Sequence, residues 1–382
     1  MTGRDFRLLR CCATSRPAVG ALKEAIEAGV DWQTVLQLAE QHGVRPLLHQ
    51  SLRSLNWEGV PQRIKADLER FSKANLQRNL SFTGELSRLV RAFASHGIRV
   101  ATFKGAVLAE LVYGDMSLRE FGDLDLIVPD QDVDRAEEVL MALGYQAFFP
   151  DKDYRSAFLS YQGQYAFRHT LTGLPVDLHW RLAGKGDTFA LDAAEIWPNL
   201  ANVSVAGRTV PTFSREDLAL FLAAHGTKEG WKRLAWVCDF AEFLRVNQNV
   251  DWTAVFKRAQ RAHSSRALLL AILLARNLLD APAPDLLIEK ARGDARIASL
   301  AREAEIGMLQ STPSGELADF LGTLKTHDRW RHRFWPIVTL LTTRTVADHR
   351  AMPLPKSLWG AYYVTRPFRL AGKAAHLVLR GI

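Results

Sequence analysis

Long apolar runs are missing from this 382-residue chain, and no stretch reaches the 18 or so consecutive apolar residues of a membrane-spanning helix. The opening MTGRDFRLLRCCATSRPAVG carries basic residues but no apolar core of signal-peptide length. Cysteine is scarce as well. Cys11, Cys12 and Cys238 form neither a C-x-x-C pair nor a zinc-binding spacing, which argues against a disulfide framework or a structural zinc site. No low-complexity linker separates one part of the chain from another. These absences lead to the expectation of a reduced, cytoplasmic, globular protein of two or three domains.

Acidic residues are also lacking, but in one place only. From Lys325 to the end there are 11 Lys or Arg against Asp328 and Asp348, a balance of +9. The first 324 residues hold 38 basic and 39 acidic side chains, a balance of −1, so the whole-chain charge of +8 belongs to the tail. Within it, DRWRHRFWPIVTLLTTRTVADHR and KSLWGAYYVTRPFRLAGKAAHLVLRGI mix basic with aromatic residues. Such stretches suit an anionic membrane surface or another acidic partner, and a nucleic-acid backbone less well, because no RNA-binding motif accompanies them. A helical end with a basic outer face explains them equally. The tail adds peripheral association at the inner membrane surface as an alternative to a freely cytoplasmic protein.

What the chain does contain is ordered by period. VDWQTVLQLAEQHGV opens on Asp31 as an N-cap, and RIKADLERFSKANLQRNLSFTGELSRLVRAFASHG is a long helical pattern stopping at His96-Gly97. A similar opening returns at VDWTAVFKRAQRA from Val250. Between them IRVATF, FGDLDLIVP, YQAFF, QYAFRHT and LPVDLHWRL read as strands, with KGAVLAELVYG and DQDVDRAEEVLMALGY as helices. After Pro211 helical periodicity resumes. The expected fold class is therefore α/β (α+β), a mixed-sheet core flanked by N- and C-terminal helical regions. The expected divisions are 1–80 (helical), 81–212 (core), 213–324 (helical) and 325–382 (basic, aromatic-rich tail).

Two carboxylates stand out in FGDLDLIV. Alternation along a strand puts Asp123 and Asp125 on one face, opposite Leu124, Leu126 and Val128. In VDLHWRL the same rule groups Asp177, His179 and Arg181, with Trp180 on the core side. Neighbouring carboxylates repel, and a divalent cation relieves the repulsion. A solvated face whose acids pair with Lys or Arg is the plain alternative. Upstream, TFKGAVLAELVYG runs a strand into Lys104-Gly105 and a helix, which offers backbone N–H groups and an ammonium to a phosphate. Arg119, four residues before Asp123, can reach triphosphate oxygens or serve the paired acids structurally. His179 can orient Asp177 or an acceptor, or be a structural histidine. His225, Lys228 and Lys232 recur at near-helical spacing in HGTKEGWKRLAWVCD, facing either a nucleotide or solvent. Asp239 is expected to pair with a helical neighbour, and Cys238 to lie in the core.

Together, FKGAVLAELVYGDMSLREFGDLDLIV and VDLHW resemble the DNA polymerase β-like nucleotidyltransferase superfamily. They are most similar to its bacterial branch of uncharacterised nucleotidyltransferases, and the likeness covers roughly residues 30–245. The resemblance implies a glycine turn holding a nucleoside triphosphate, here Gly105 with Lys104. It implies a metal set of Asp123, Asp125 and Asp177, the last also helping to deprotonate an acceptor. The cofactor implied is Mg²⁺, with Mn²⁺ as the alternative, and ATP is the first-choice nucleotide. The implied reaction transfers NMP to a hydroxyl of a small molecule, glycan, peptide or protein and releases pyrophosphate. Arg119, His225 and Lys228 are candidate nucleotide contacts, and His179 supports the metal set from behind. Two features depart from the superfamily: Ala106 follows Gly105 where Gly or Ser is usual, and YGDMSLREFG lengthens the interval before the acids. The alternatives are an RNA-modifying nucleotidyltransferase and a non-catalytic nucleotide-binding scaffold.

Overall fold

The structure, a computed structural model, describes residues 3–148, 163–182, 191 and 193–310, and in the tail 324–326, 337–338, 341, 348 and 351–379. Helix starts follow the capping residues read in the sequence. The Asp31 carboxylate accepts from the Gln33 N–H (3.0 Å) at the head of the helix Trp32–Gln41. Asp251 does the same for Ala254 (2.9 Å) ahead of Trp252–Arg261. Capping of this kind satisfies N–H groups that have no partner inside the helix. The long helix Gln62–Ser95 ends at His96, and Gly97 follows with a left-handed φ of 65°. This one helix runs through the expected division at residue 80.

Five strands form the main sheet: β1 (Ala101–Thr102), β2 (Leu124–Ile127), β3 (Tyr145–Ala147), β4 (Gln164–His169) and β5 (Pro175–His179). Their order is β1-β2-β5-β4-β3. Only β2 and β5 are parallel, and the other neighbours are antiparallel, so the sheet is mixed as expected. A separate hairpin, β6 (Ala201–Val205) and β7 (Arg208–Thr212), precedes the later helices. Two strands are shorter than the sequence suggests. IRVATF pairs only through Ala101 and Thr102 because β1 lies at the sheet edge and the chain then leaves for Lys104-Gly105. In YQAFF the strand ends at Ala147, with one further backbone bond from the Phe148 N–H to the Ala166 carbonyl (2.9 Å); the Phe148 side chain is exposed, and Phe149 lies outside the described residues.

The two sheet faces belong to different cores. Leu124, Leu126, Val128, Val176, Leu178 and Trp180 pack with the second half of Gln62–Ser95 and the helices Gly105–Tyr113 and Val133–Ala142. Ala101, Phe103 and Ile127 join the larger core, which unites the N-terminal helices with Arg215–Lys228, Leu234–Val246 and Ser265–Leu279. Cys238 is fully buried there, as read from the sequence. The expected packing of helices on the α/β unit is therefore real, and it covers the very face that bears the carboxylates.

One close approach fixes the corner between two of those later helices. Gly226 sits inside Arg215–Lys228, and a Cβ there would lie 2.5 Å from the ring of Trp231. Trp231 is fully buried, holds a left-handed φ of 53° and donates from its indole to the Thr227 hydroxyl (3.2 Å). The ring cannot retreat into a packed interior without moving its neighbours. Gly226→Ala is expected to destabilise the protein by about 1–3 kcal/mol, read as a lowered urea midpoint.

Much of the basic tail, including DRWRHRFWP, lies outside the described residues. The helix Tyr362–Leu379 within it is described, and Arg366 and Arg369 pair with Asp348. Among the described residues no helix is long and apolar enough to cross a membrane.

Candidate active site

The site forms where β1 ends and β2 begins. Because β1 and β2 are antiparallel, the Lys104-Gly105 turn lies beside the start of β2. Gly105 has φ +56°, a conformation that L side chains rarely adopt, and it opens the helix Gly105–Tyr113 with Lys104 at the N-cap position. Ala106 packs in the second core, so the side chain after the glycine fills the interior.

Across the strands, Asp125 and Asp177 are register partners on β2 and β5, and adjacent positions in a sheet project to the same side. His179, two residues on, shares that side. Its Nε2 lies 2.9 Å from Asp125 Oδ1, and the Lys104 ammonium lies 3.2 Å from the same oxygen. Asp177 Oδ2 accepts from the side-chain amide of Gln164 (3.0 Å). Asp125 is only 3% exposed, and its second oxygen, Oδ2, is buried without a hydrogen-bond partner. Buried polar atoms are nearly always satisfied, so a bare oxygen on a carboxylate of this cluster is a candidate place for a further ligand.

Asp123 sits one residue before β2, in a bend after Gly122, and not inside the strand as the pattern suggested. Among the described residues, the groups gathered tightly enough to hold one ion are Asp125, Asp177 and His179, each offering an atom within 4.8 Å of the others. Asp123 joins them through its charge. Burial, then the Asp125 charge, pushes its carboxyl above the usual range. Burial also raises Asp177, opposed by His179 and reinforced by Asp125. For Asp125 burial acts upward too, but the Lys104 charge and the His179 hydrogen bond override it and hold the carboxyl well below the usual range. Three acids thus share one ammonium, and the best-placed acid takes it.

A raised carboxyl makes a stability statement. The folded protein binds the Asp123 proton more tightly than the unfolded chain, so ionising Asp123 costs stability as pH rises past the ordinary carboxylate range. Asp123→Asn removes that cost. The melting temperature is expected to rise on the order of 1–2 °C at pH 7, and the gain to vanish near pH 3, where both side chains are neutral. A scan of melting temperature against pH checks both signs.

The remaining candidates divide. Arg119 acts on Asp123 through its charge, but its hydrogen bonds go elsewhere. Its guanidinium holds Asp239 through Nε (3.1 and 3.2 Å) and Nη2 (3.1 Å), and Tyr113 donates to the same carboxylate (2.9 Å). This corrects the expectation that Asp239 pairs along its own helix: its partners lie 120 and 126 residues away. His225 stacks on Phe221 (centroids 5.6 Å, planes 7° apart) and meets the edge of Trp236. Burial and then the Lys104 charge keep it well below the usual histidine range, so its ring is neutral at pH 7. Lys228 is exposed, at the end of the same helix.

The sequence reading missed the supports. Asn75 and Asn79, both buried on Gln62–Ser95, donate to the carbonyls of Met116, Ser117 and Arg119 and so fix the loop that delivers Arg119 and Asp123. Their signal was available: two amides four residues apart on a face that continues through Phe82 and Leu86.

Residues 28–280 match the family described as Uncharacterised nucleotidyltransferase. The chain belongs to that family. The match spans both sheet strands that carry the carboxylates, the glycine turn, and the helices that cover them. None of the curated proteins matches the chain. Nucleotidyl transfer generally employs divalent cations and handles phosphate charge, and an oxygen-rich cluster beside a helix N-terminus has the chemistry for both. The donor set fits such an ion: two carboxylates, one imidazole, and a buried oxygen lacking a partner.

Proposed function

We propose that this nucleotidyltransferase moves NMP from an NTP, ATP first among them, to a hydroxyl of a small-molecule, glycan, peptide or protein acceptor. The observation that carries the reading is the pairing of Asp125 with Asp177 on parallel neighbours, beside the Lys104-Gly105 turn. A bond forms between the acceptor oxygen and the α-phosphorus, the α–β bridging bond breaks, and pyrophosphate leaves. A divalent cation bound there would neutralise phosphate charge and polarise the α-phosphate.

The chain's own residues do the rest. Asp125 and Asp177 supply ion-binding oxygens, joined by Asp123 at the rim. The backbone N–H groups at Gly105 face the triphosphate, and Lys104 follows its charge. Asp177, the acid on the later strand, is the one that, by the resemblance, helps to deprotonate the incoming hydroxyl. Arg119 holds the Asp239 helix against the loop, and neutral His225 with Phe221 walls the Lys104 side.

Lys104 has a double role with opposite consequences. Without nucleotide its ammonium neutralises Asp125; with nucleotide it is drawn to phosphate. Lys104→Met should therefore bind a divalent cation alone about tenfold more tightly and bind NTP about tenfold more weakly, which calorimetry resolves. Equal losses in both would contradict the double role.

The reading itself is tested with ATP labelled at either the α- or the γ-phosphate, incubated with fractionated acceptors. Label is expected to stay on the acceptor only from the α position, and not with Asp125→Asn/Asp177→Asn. Retention of γ label instead would mean phosphoryl transfer and would overturn the assignment.

A further inference from the structure

We propose that His179 is itself a ligand of the active-site cation, so that the centre is an Asp₂His set selecting Mn²⁺-like ions over Mg²⁺. This rests on the nucleotidyltransferase reading and names its metal chemistry. The Asp123, Asp125 and Asp177 set implied by the resemblance would be all-oxygen, the donor type Mg²⁺ demands. The residues that converge are different ones: Asp125, Asp177 and His179.

Four observations point to direct ligation. His179 Nε2 and Asp125 Oδ1 are 2.9 Å apart, close to the ~3.0 Å edge between adjacent ligands of an octahedral ion with bonds near 2.1 Å. Asp125 Oδ2, beside them, has no hydrogen-bond partner. The imidazole is held in place from several sides. His179 is 5% exposed, its ring meets the edge of Phe103 (5.4 Å), and its carbonyl accepts from the Val128 N–H (2.9 Å). Finally, Asp123 stands outside the converging group, which leaves a position for nitrogen to fill.

The chemistry follows from donor type. Carboxylate and water suit Mg²⁺ and Mn²⁺ alike, but Mn²⁺, as a transition ion, accepts an imidazole nitrogen more readily than Mg²⁺ does. A site with one nitrogen among its oxygens therefore gains on Mn²⁺ relative to Mg²⁺, and the discrimination should reside in His179. A histidine that merely oriented Asp125 through a hydrogen bond would support either ion without choosing between them.

The test is electron-spin-echo spectroscopy of Mn²⁺ bound to the full-length protein, alone and with inorganic tripolyphosphate, which brings phosphate oxygens but no nitrogen. The expected result is ¹⁴N modulation of a directly bound imidazole in the wild type, lost in His179→Asn. Competition titration should show a preference for Mn²⁺ over Mg²⁺ that falls about tenfold or more in that variant. If His179→Asn does not fold, wild-type protein labelled with ¹⁵N-histidine supplies the same readout, because the modulation must change to the ¹⁵N pattern. Mn²⁺ bound in the wild type without nitrogen modulation, or modulation retained in His179→Asn, overturns the ligand assignment and leaves the nucleotidyltransferase reading standing. Failure to bind Mn²⁺ under either condition overturns both.

Discussion

Asp125→Asn is expected to lower the rate of nucleotidyl transfer by at least about 10³-fold in kcat/KM while the protein stays folded. Asparagine keeps the shape and one acceptor oxygen for His179, but it removes the charge at the centre of the cluster. Asp125 is the residue on which the local interactions converge: Lys104 at 3.2 Å, His179 at 2.9 Å, Asp177 in register, and a bare Oδ2. An ion held there would supply several kcal/mol of transition-state stabilisation, and each 1.4 kcal/mol is a factor of about ten. Far-UV circular dichroism should stay native-like while the melting temperature falls by several degrees, because the ionised Asp125, held low by Lys104 and His179, stabilises the fold at neutral pH; the loss is limited by the Lys104 ammonium, which is already part-exposed and can turn toward solvent. Steady-state kinetics against a working acceptor checks the size of the loss. Near-normal turnover in the folded variant would remove Asp125 from the chemistry.

Asp239→Ala is expected to do the reverse, destabilising the fold strongly through a group that touches no reacting atom. Truncation leaves the Arg119 guanidinium buried without the carboxylate it holds and strips the Tyr113 hydroxyl of its acceptor. Removing one member of a buried ion pair costs about 3–5 kcal/mol, chiefly because the survivor remains charged away from water. The double variant Asp239→Ala/Arg119→Met should recover much of that loss, since the stranded charge goes with the arginine. Denaturant unfolding of the two single variants and the double variant forms the cycle that checks this. A single variant within about 0.5 kcal/mol of wild type would mean that the pair is not closed in solution.

How far the sequence foretold this architecture depends on the range of the interactions involved. Local signals were legible. The Asp31 and Asp251 caps, the Gly97 stop and the period-two face of β5 all rest on interactions within a few residues, and each lies where the pattern put it. The Asp125–Asp177 pairing followed from two such faces once a shared sheet was assumed. Long-range chemistry was not legible. That Arg119 binds Asp239 depends on a helix 120 residues later, and spacing within either segment says nothing about it. The exclusion of Asp123 from β2 was hidden for a different reason. Alternation tells which face a side chain takes, not where the ladder begins, and Gly122 lets the chain bend one residue earlier than the apolar run implies. Periodicity gave the face of His179 but not its partner: its 2.9 Å hydrogen bond runs across the sheet to Asp125.

The site as a whole works through one economy of charge. Three carboxylates gather around the Lys104 ammonium, with Arg119 and His179 adding to its effect, and the same lysine stands at the N-cap of the helix Gly105–Tyr113. The strain recorded in the raised Asp123 and Asp177 carboxyls is what a bound cation would relieve. Stability and function are therefore set against each other at these positions, which is why Asp123→Asn is expected to melt higher than the wild type.

The central claim, that these residues form a cation-dependent nucleotide site, is tested most directly by calorimetric titration of ATP and the other NTPs. It is made with and without Mg²⁺ or Mn²⁺, on the wild type and on Asp125→Asn/Asp177→Asn. The account predicts binding in the wild type that requires the divalent ion and is lost in the folded double variant. Cation-independent binding, or equal binding by the variant, would contradict it.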